Sequence, residues 1–126
     1  MNYKNILIID DDQDDQEIFI AAVNEISESI NCHAISNASH ALDQLTAFQL
    51  KPEIIFLDLN MPVMNGQEFL VALKKSKGID NIPVIIFSTT SHPATISLMK
   101  ELGAIDFITK PPSYDELIKL LTPILS

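Results

Sequence analysis

The sequence predicts an α/β fold, with a five-stranded parallel sheet covered by helices on both faces. Three observations carry this. Ile6–Ile9, Ile54–Leu57 and Val84–Phe87 are unbroken apolar runs, the pattern of strands buried on both sides rather than one. Segments with apolar residues at helical spacing alternate with these runs. The connections between them are short, so each strand is followed by a crossover helix, and such alternation implies parallel strands.

The elements follow in order. The first strand, Ile6–Ile9, ends in Asp10, Asp11 and Asp12. The stretch QDDQEIFIAAVNEISES then places Ile18, Phe19, Ala22, Val23 and Ile26 at helical spacing behind an acidic first turn, which the helix dipole favours. Asn31–Ile35 is a weaker strand of mixed polarity, expected near a sheet edge. Ser36–Ser39 turns the chain, Ala41, Leu42, Leu45 and Phe48 share a helical face, and Lys51-Pro52 is expected to stop that helix. After Ile54–Leu57 and the loop closed by Gly66, Gln67–Lys75 is a short helix with Phe69, Leu70 and Leu73 inward. Gly78–Asn81 turns the chain into Val84–Phe87. A helix bearing Ile96, Met99 and Leu102 closes at Gly103, a residue suited to a C-cap. Asp106–Thr109 is the last strand, and Ser113 and Glu116 have capping-box spacing at the start of the last helix. Five βα units give a flavodoxin-like doubly wound fold with strand order 2-1-3-4-5 as the first choice. Right-handed crossovers then bring the ends of strands one, three, four and five to one edge.

At 126 residues, 47% apolar and 20% charged, residues 1–126 are expected to form one globular domain. A net charge of −9 argues against nucleic acid or an anionic membrane surface as partner and leaves room for cations. Cys32 is the only cysteine, so no internal disulfide can form. The start, MNYKNILIIDDD, is not a signal peptide, and no apolar run is long enough to span a bilayer. Cytoplasmic localisation without membrane insertion is the expectation. His33, His40 and His92 lack metal-ligand spacing.

The strand ends carry the chemistry. They offer Asp10 and Asp11, then Asp58, Ser88 and Lys110. Each alone has an ordinary explanation, as a first-turn acid, a turn hydroxyl or a solvated lysine; their joint placement at four strand ends makes a site. Asp12, Asp14 and Asp15 are read only as the acidic start of a helix. Three clustered carboxylates repel one another, and a hard divalent cation such as Mg²⁺ offsets them. A carboxylate beside such an ion is a nucleophile toward a phosphoryl group, whose oxygens the lysine and the hydroxyl can bind.

The segments ILIIDDD (6–12), IIFLDLNMPVMNG (54–66), PVIIFST (83–89) and LGAIDFITKPP (102–112) resemble the receiver domain of bacterial two-component response regulators. The resemblance covers essentially the whole chain. It implies that Asp58 is the phosphoacceptor, that Asp11 ligates Mg²⁺ directly with Asp10 helping, and that the Asn60 backbone carbonyl is a further ligand, with Mn²⁺ as a substitute ion. It implies that Ser88 and Lys110 bind the phosphoryl group, that Phe107 is an aromatic switch residue, and that the bond to Pro111 is often cis. Three departures stand out: Thr89 where a very small residue is usual, a Phe107 without a hydroxyl, and a second proline after Lys110. The implied role is a stand-alone receiver, monomeric or weakly dimeric and without an output domain. The resemblance implies phosphorylation by a histidine kinase or phosphotransfer protein, and signalling by partner binding or phosphorelay. It implies no enzyme activity beyond self-phosphorylation and slow autodephosphorylation.

Other classes fit less well. A Mg²⁺-dependent aspartyl-phosphate phosphatase of haloacid dehalogenase type needs a second aspartate where Asn60 stands. A flavodoxin-type flavin binder needs a phosphate loop where Asp10–Asp15 would repel one. A phosphorylation-independent interaction module of the same fold has no use for the intact acid, hydroxyl and lysine set.

Overall fold

A computed structural model describes residues 3–126. The strands are β1 (Asn5–Ile9), β2 (Asn31–Ile35), β3 (Ile54–Leu57), β4 (Val84–Ser88) and β5 (Asp106–Thr109). The helices are α1 (Gln13–Ile26), α2 (Ala38–Thr46), α3 (Gly66–Lys74), α4 (Pro93–Glu101) and α5 (Tyr114–Leu125). All strand pairs are parallel and the order is β2-β1-β3-β4-β5, as the alternation predicts.

Strand side chains alternate between faces, so each apolar run feeds two cores. Leu7, Ile9, Ile55, Leu57, Val84 and Ile86 pack with Leu45, Phe69, Leu70, Leu73 and Met99, under α2, α3 and α4. Ile6, Ile8, Ile54, Phe56, Ile85 and Phe87 pack with Phe19, Val23, Leu117 and Leu121, under α1 and α5. Phe19 stands 4.9 Å from Phe56 and 5.5 Å from Phe87 between ring centroids, the tilted spacing that aromatic quadrupoles favour. β2 is an edge strand with exposed positions, in keeping with its mixed composition.

Local chemistry sets the helix starts. Asp12, Asn37, Asn65 and Ser113 each accept a backbone N–H at an N-cap, and Asn65 with Glu68 completes a capping box. Ser113 caps α5 through the Glu116 N–H. Gly103, at φ +115°, takes the left-handed conformation that ends α4. Three expectations are corrected. Ile18 is exposed, because the buried stripe of α1 runs through Gln16, Phe19, Ala22 and Val23. Phe48 lies outside α2 with φ 57°, which turns it out of the apolar face and over Gly78. Helix α2 ends at Thr46, with Ala47 as its C-cap, well before Lys51-Pro52.

Candidate functional site

The carboxyl ends of β1, β3, β4 and β5 meet at one edge and assemble the residues singled out above. Asp10 is fully buried, its N–H donates to the Ile35 carbonyl, and its Oδ1 accepts the Asp12 N–H at 3.0 Å. Asp58, 6% exposed, extends β3; its N–H donates to the Ile9 carbonyl and its Oδ1 accepts the Leu59 N–H at 2.9 Å. Carboxylate oxygens of Asp10, Asp11 and Asp58 all lie within 4.8 Å of one another. That spacing and an all-oxygen donor set suit a hard divalent cation. Asn60 follows in the exposed part of the loop, and its backbone N–H favours the ionised Asp58 carboxylate.

Among the described residues, Lys110 supplies the one cation in the cluster. Its Nζ donates to Asp10 Oδ2 and Asp15 Oδ2, both at 2.7 Å, and stands 3.9 Å from Asp58 Oδ1. It also lies 5.6 Å from the centroid of the Phe87 ring. Its backbone N–H donates to the Ser88 carbonyl at 2.7 Å, which ties the end of β5 to the end of β4. Ser88 is fully buried, and its Oγ has no hydrogen-bond partner among the described residues. A buried hydroxyl costs free energy unless it is bonded, so this one has hydrogen-bonding capacity to spare.

One ammonium does not balance three acids. Burial pushes the Asp58 carboxyl up to about 6; the Asp10 charge adds to this, and Lys110 and the Leu59 and Asn60 N–H groups oppose it. Burial also raises Asp10, against the hydrogen bond from Lys110. Burial alone would lower Lys110, but the hydrogen bonds to Asp10 and Asp15 outweigh it and its proton is held above the usual lysine range.

Not every expected residue joins this cluster. Thr89 is exposed and Phe107 is half-buried against the core that contains Met99, one strand away. The Lys110–Pro111 bond is trans, since no peptide among the described residues is cis, in line with the lower energy of trans X–Pro. Asp15 is corrected: beyond starting α1 it shares the Lys110 ammonium. Two further residues carry the site. Gln16 is buried, and its Nε2 donates to the Asp10 carbonyl and to Ser36 Oγ; its place on the apolar stripe of α1 was the available signal. Gly66 has no substitute: a Cβ there would stand 2.3 Å from the Asp58 carbonyl oxygen and 2.8 Å from Leu59 Cα.

Comparisons with known proteins agree with this fold. Residues 6–122 match the response regulator receiver domain family. A protein-glutamate methylesterase/protein-glutamine glutaminase of Methanococcoides burtonii is 35% identical over 85% of this chain, which spans 31% of that relative. The phosphorylated cyanobacterial phytochrome response regulator RcpA superposes with a TM-score of 0.86 at 25% identity, covering 97% of this chain and 91% of that one. The Mn²⁺-bound form of response regulator Rcp1 superposes with a TM-score of 0.77 at 26% identity, covering 96% and 91%.

Proposed function

The chain belongs to the response regulator receiver domain family, and from that premise we propose that Asp58 accepts a phosphoryl group and so switches the surface around α4, β5 and α5. The observation that carries the reading is the convergence of a buried Asp58 with Asp10, Asp11, Lys110 and an unpartnered Ser88 hydroxyl at one sheet edge.

With a pKa of about 6, Asp58 is largely ionised at neutral pH and able to attack. Its Oδ1 is engaged by the Leu59 N–H, which leaves the other oxygen for phosphorus. The donor is an N-phosphoimidazole on a histidine kinase or phosphotransfer protein. An O–P bond forms as the P–N bond breaks; the electron pair returns to the imidazole, which takes up a proton, and nothing is oxidised or reduced. Asp10, Asp11, Asp58 and the Asn60 carbonyl would hold Mg²⁺, which when bound neutralises acid and phosphoryl charge. The Mn²⁺-bound Rcp1 supports that assignment. Lys110 neutralises one phosphoryl oxygen. Ser88 donates its idle hydroxyl to another, drawing the chain that follows β4 inward, and Phe107 repacks in response. The result is a two-state equilibrium biased by charge-assisted contacts, read out by partner binding or onward phosphotransfer. Turnover is limited to slow loss of the phosphoryl group.

Incubation with acetyl phosphate and Mg²⁺, read by intact mass, should add one phosphoryl group to the wild type and none to Asp58→Asn. If neither acetyl phosphate nor a phosphohistidine donor adds mass, or if the gain survives the substitution, the assignment fails.

A further inference from the structure

An ammonium has three donors, and Lys110 spends two of them at 2.7 Å, on Asp10 and on Asp15. Asp58, the group it is expected to serve, stands 3.9 Å away and receives no hydrogen bond. Lys110 is therefore shared between Asp10 of the acid trio and Asp15 of α1, with Asp58 beyond hydrogen-bond reach.

The two acids that draw it differ. The Asp10 side chain is 1% exposed and belongs to the trio that can enclose a cation. The Asp15 side chain is 34% exposed and lies outside that trio. Asp15 is held in the first turn of α1, where its N–H donates to the Asp12 cap at 3.2 Å. Water can solvate its carboxylate when Lys110 leaves, so release costs little there, whereas uncovering the buried Asp10 would leave an unpaired charge.

Resting on the reading of Asp58 as phosphoacceptor, we propose that Asp15 is a positioning residue that latches the Lys110 ammonium against α1 and competes for it with a phosphoryl group on Asp58. The latch keeps the resting site open and taxes the phosphorylated state, because Lys110 serves the phosphoryl oxygens fully only when it gives up Asp15. Asp15 is not needed for the transfer itself. Its effect runs through Lys110 alone, which separates it from a general contribution to the acidic field of the site.

The test uses Asp15→Asn, which keeps the shape and removes the charge, alone and in a Lys110→Ala background. Titration with fluoroberyllate and Mg²⁺ by calorimetry reads the affinity for a phosphoryl mimic. Asp15→Asn should bind about three- to tenfold more tightly than wild type, and the gain should fall below about twofold in Lys110→Ala. Unchanged or weaker binding overturns the latch, and so does a gain that persists without Lys110, since that is bulk charge. A second readout needs no phosphoryl chemistry. Amine labelling read by peptide mass should modify Lys110 about threefold faster in Asp15→Ala than in wild type, and equal rates overturn the latch. Wild type that takes neither fluoroberyllate nor phosphoryl sinks the Asp58 reading together with the competition. Wild type that takes both, with Asp15→Asn indistinguishable from it, sinks the latch alone.

Discussion

Without a divalent cation, Asp58 works against the fold, and Asp58→Asn should stabilise the metal-free protein. The folded-state pKa stands at about 6 against an ordinary 3.8, chiefly through burial. A group raised in the folded state adds stability below its unfolded pKa and loses it as pH rises through the folded value. Wild type therefore forfeits stability between about pH 4 and pH 6 that the amide never had to lose. Roughly two units at about 1.4 kcal/mol each set a ceiling near 3 kcal/mol, and relaxation of the pocket brings the expected gain to about 1–2 kcal/mol. The asparagine keeps an acceptor for the Leu59 N–H, and its amide donors face the neighbouring carboxylates, so no new orphan offsets the gain. Urea unfolding in EDTA should show the two proteins level near pH 4 and the variant more stable by that amount near about pH 8. Millimolar Mg²⁺ should narrow or reverse the gap, because the cation binds the native wild type more tightly. A gap that does not change with pH, or a variant no more stable than wild type at about pH 8, would refute the reasoning.

Three more expectations follow from the same geometry. Ser88→Ala should leave unphosphorylated stability unchanged or raise it by up to about 1 kcal/mol, since the lost hydroxyl is buried without a partner. It should nevertheless weaken fluoroberyllate binding; a large loss of resting stability would contradict the orphan assignment. Gly66→Ala should cost about 2–4 kcal/mol in chemical unfolding and slow phosphoryl loading, because its Cβ would meet the Asp58 carbonyl oxygen at 2.3 Å; a neutral variant would deny the close approach. Burial pushes the Cys32 thiol up to about 12, so a thiol reagent near neutral pH should modify it only after unfolding, and ready native labelling would count against that.

The parts of the fold that depend on local order were readable in the chain. Ile54–Leu57 and Val84–Ser88 are buried at every position, and an unbroken apolar run has no other comfortable place in a small domain. Once those strands are parallel, handed crossovers deliver Asp10, Asp58, Ser88 and Lys110 to one edge. What escaped was geometry between distant elements. Asp15 meets Lys110 across 95 positions of sequence, and as a first-turn acid it already had a sufficient local explanation. Ile18 keeps helical spacing but sits beyond the stripe that α1 can bury against the sheet, and Phe48 leaves its face through one positive φ. Gly66 reads as a turn glycine; only the close approach of α3 to the carbonyl of Asp58 shows that the need is for space.

These features combine into a single physical device. β1 and β3 are adjacent and, apart from Asn5, buried throughout, and they fix Asp10 and Asp58 beside each other. The Leu59 and Asp12 N–H groups and the Gln16 amide hydrogen-bond Asp58 and Asp10 and help fix them at the ends of those strands. The cost of burying these acids appears as raised carboxyl pKa values, chiefly through desolvation, with the Asp10 charge a smaller contribution at Asp58. On the proposed reading, a cation would remove part of that cost, and a phosphoryl group on Asp58 would restore negative charge beside Lys110 and Ser88. With the strands held in the sheet, the response on that reading would fall on the remaining groups: a lysine shared with a partly exposed aspartate, an unbonded hydroxyl and a half-buried phenylalanine. A rigid acid pair flanked by such movable partners is the arrangement in which a local change of charge becomes a change of surface.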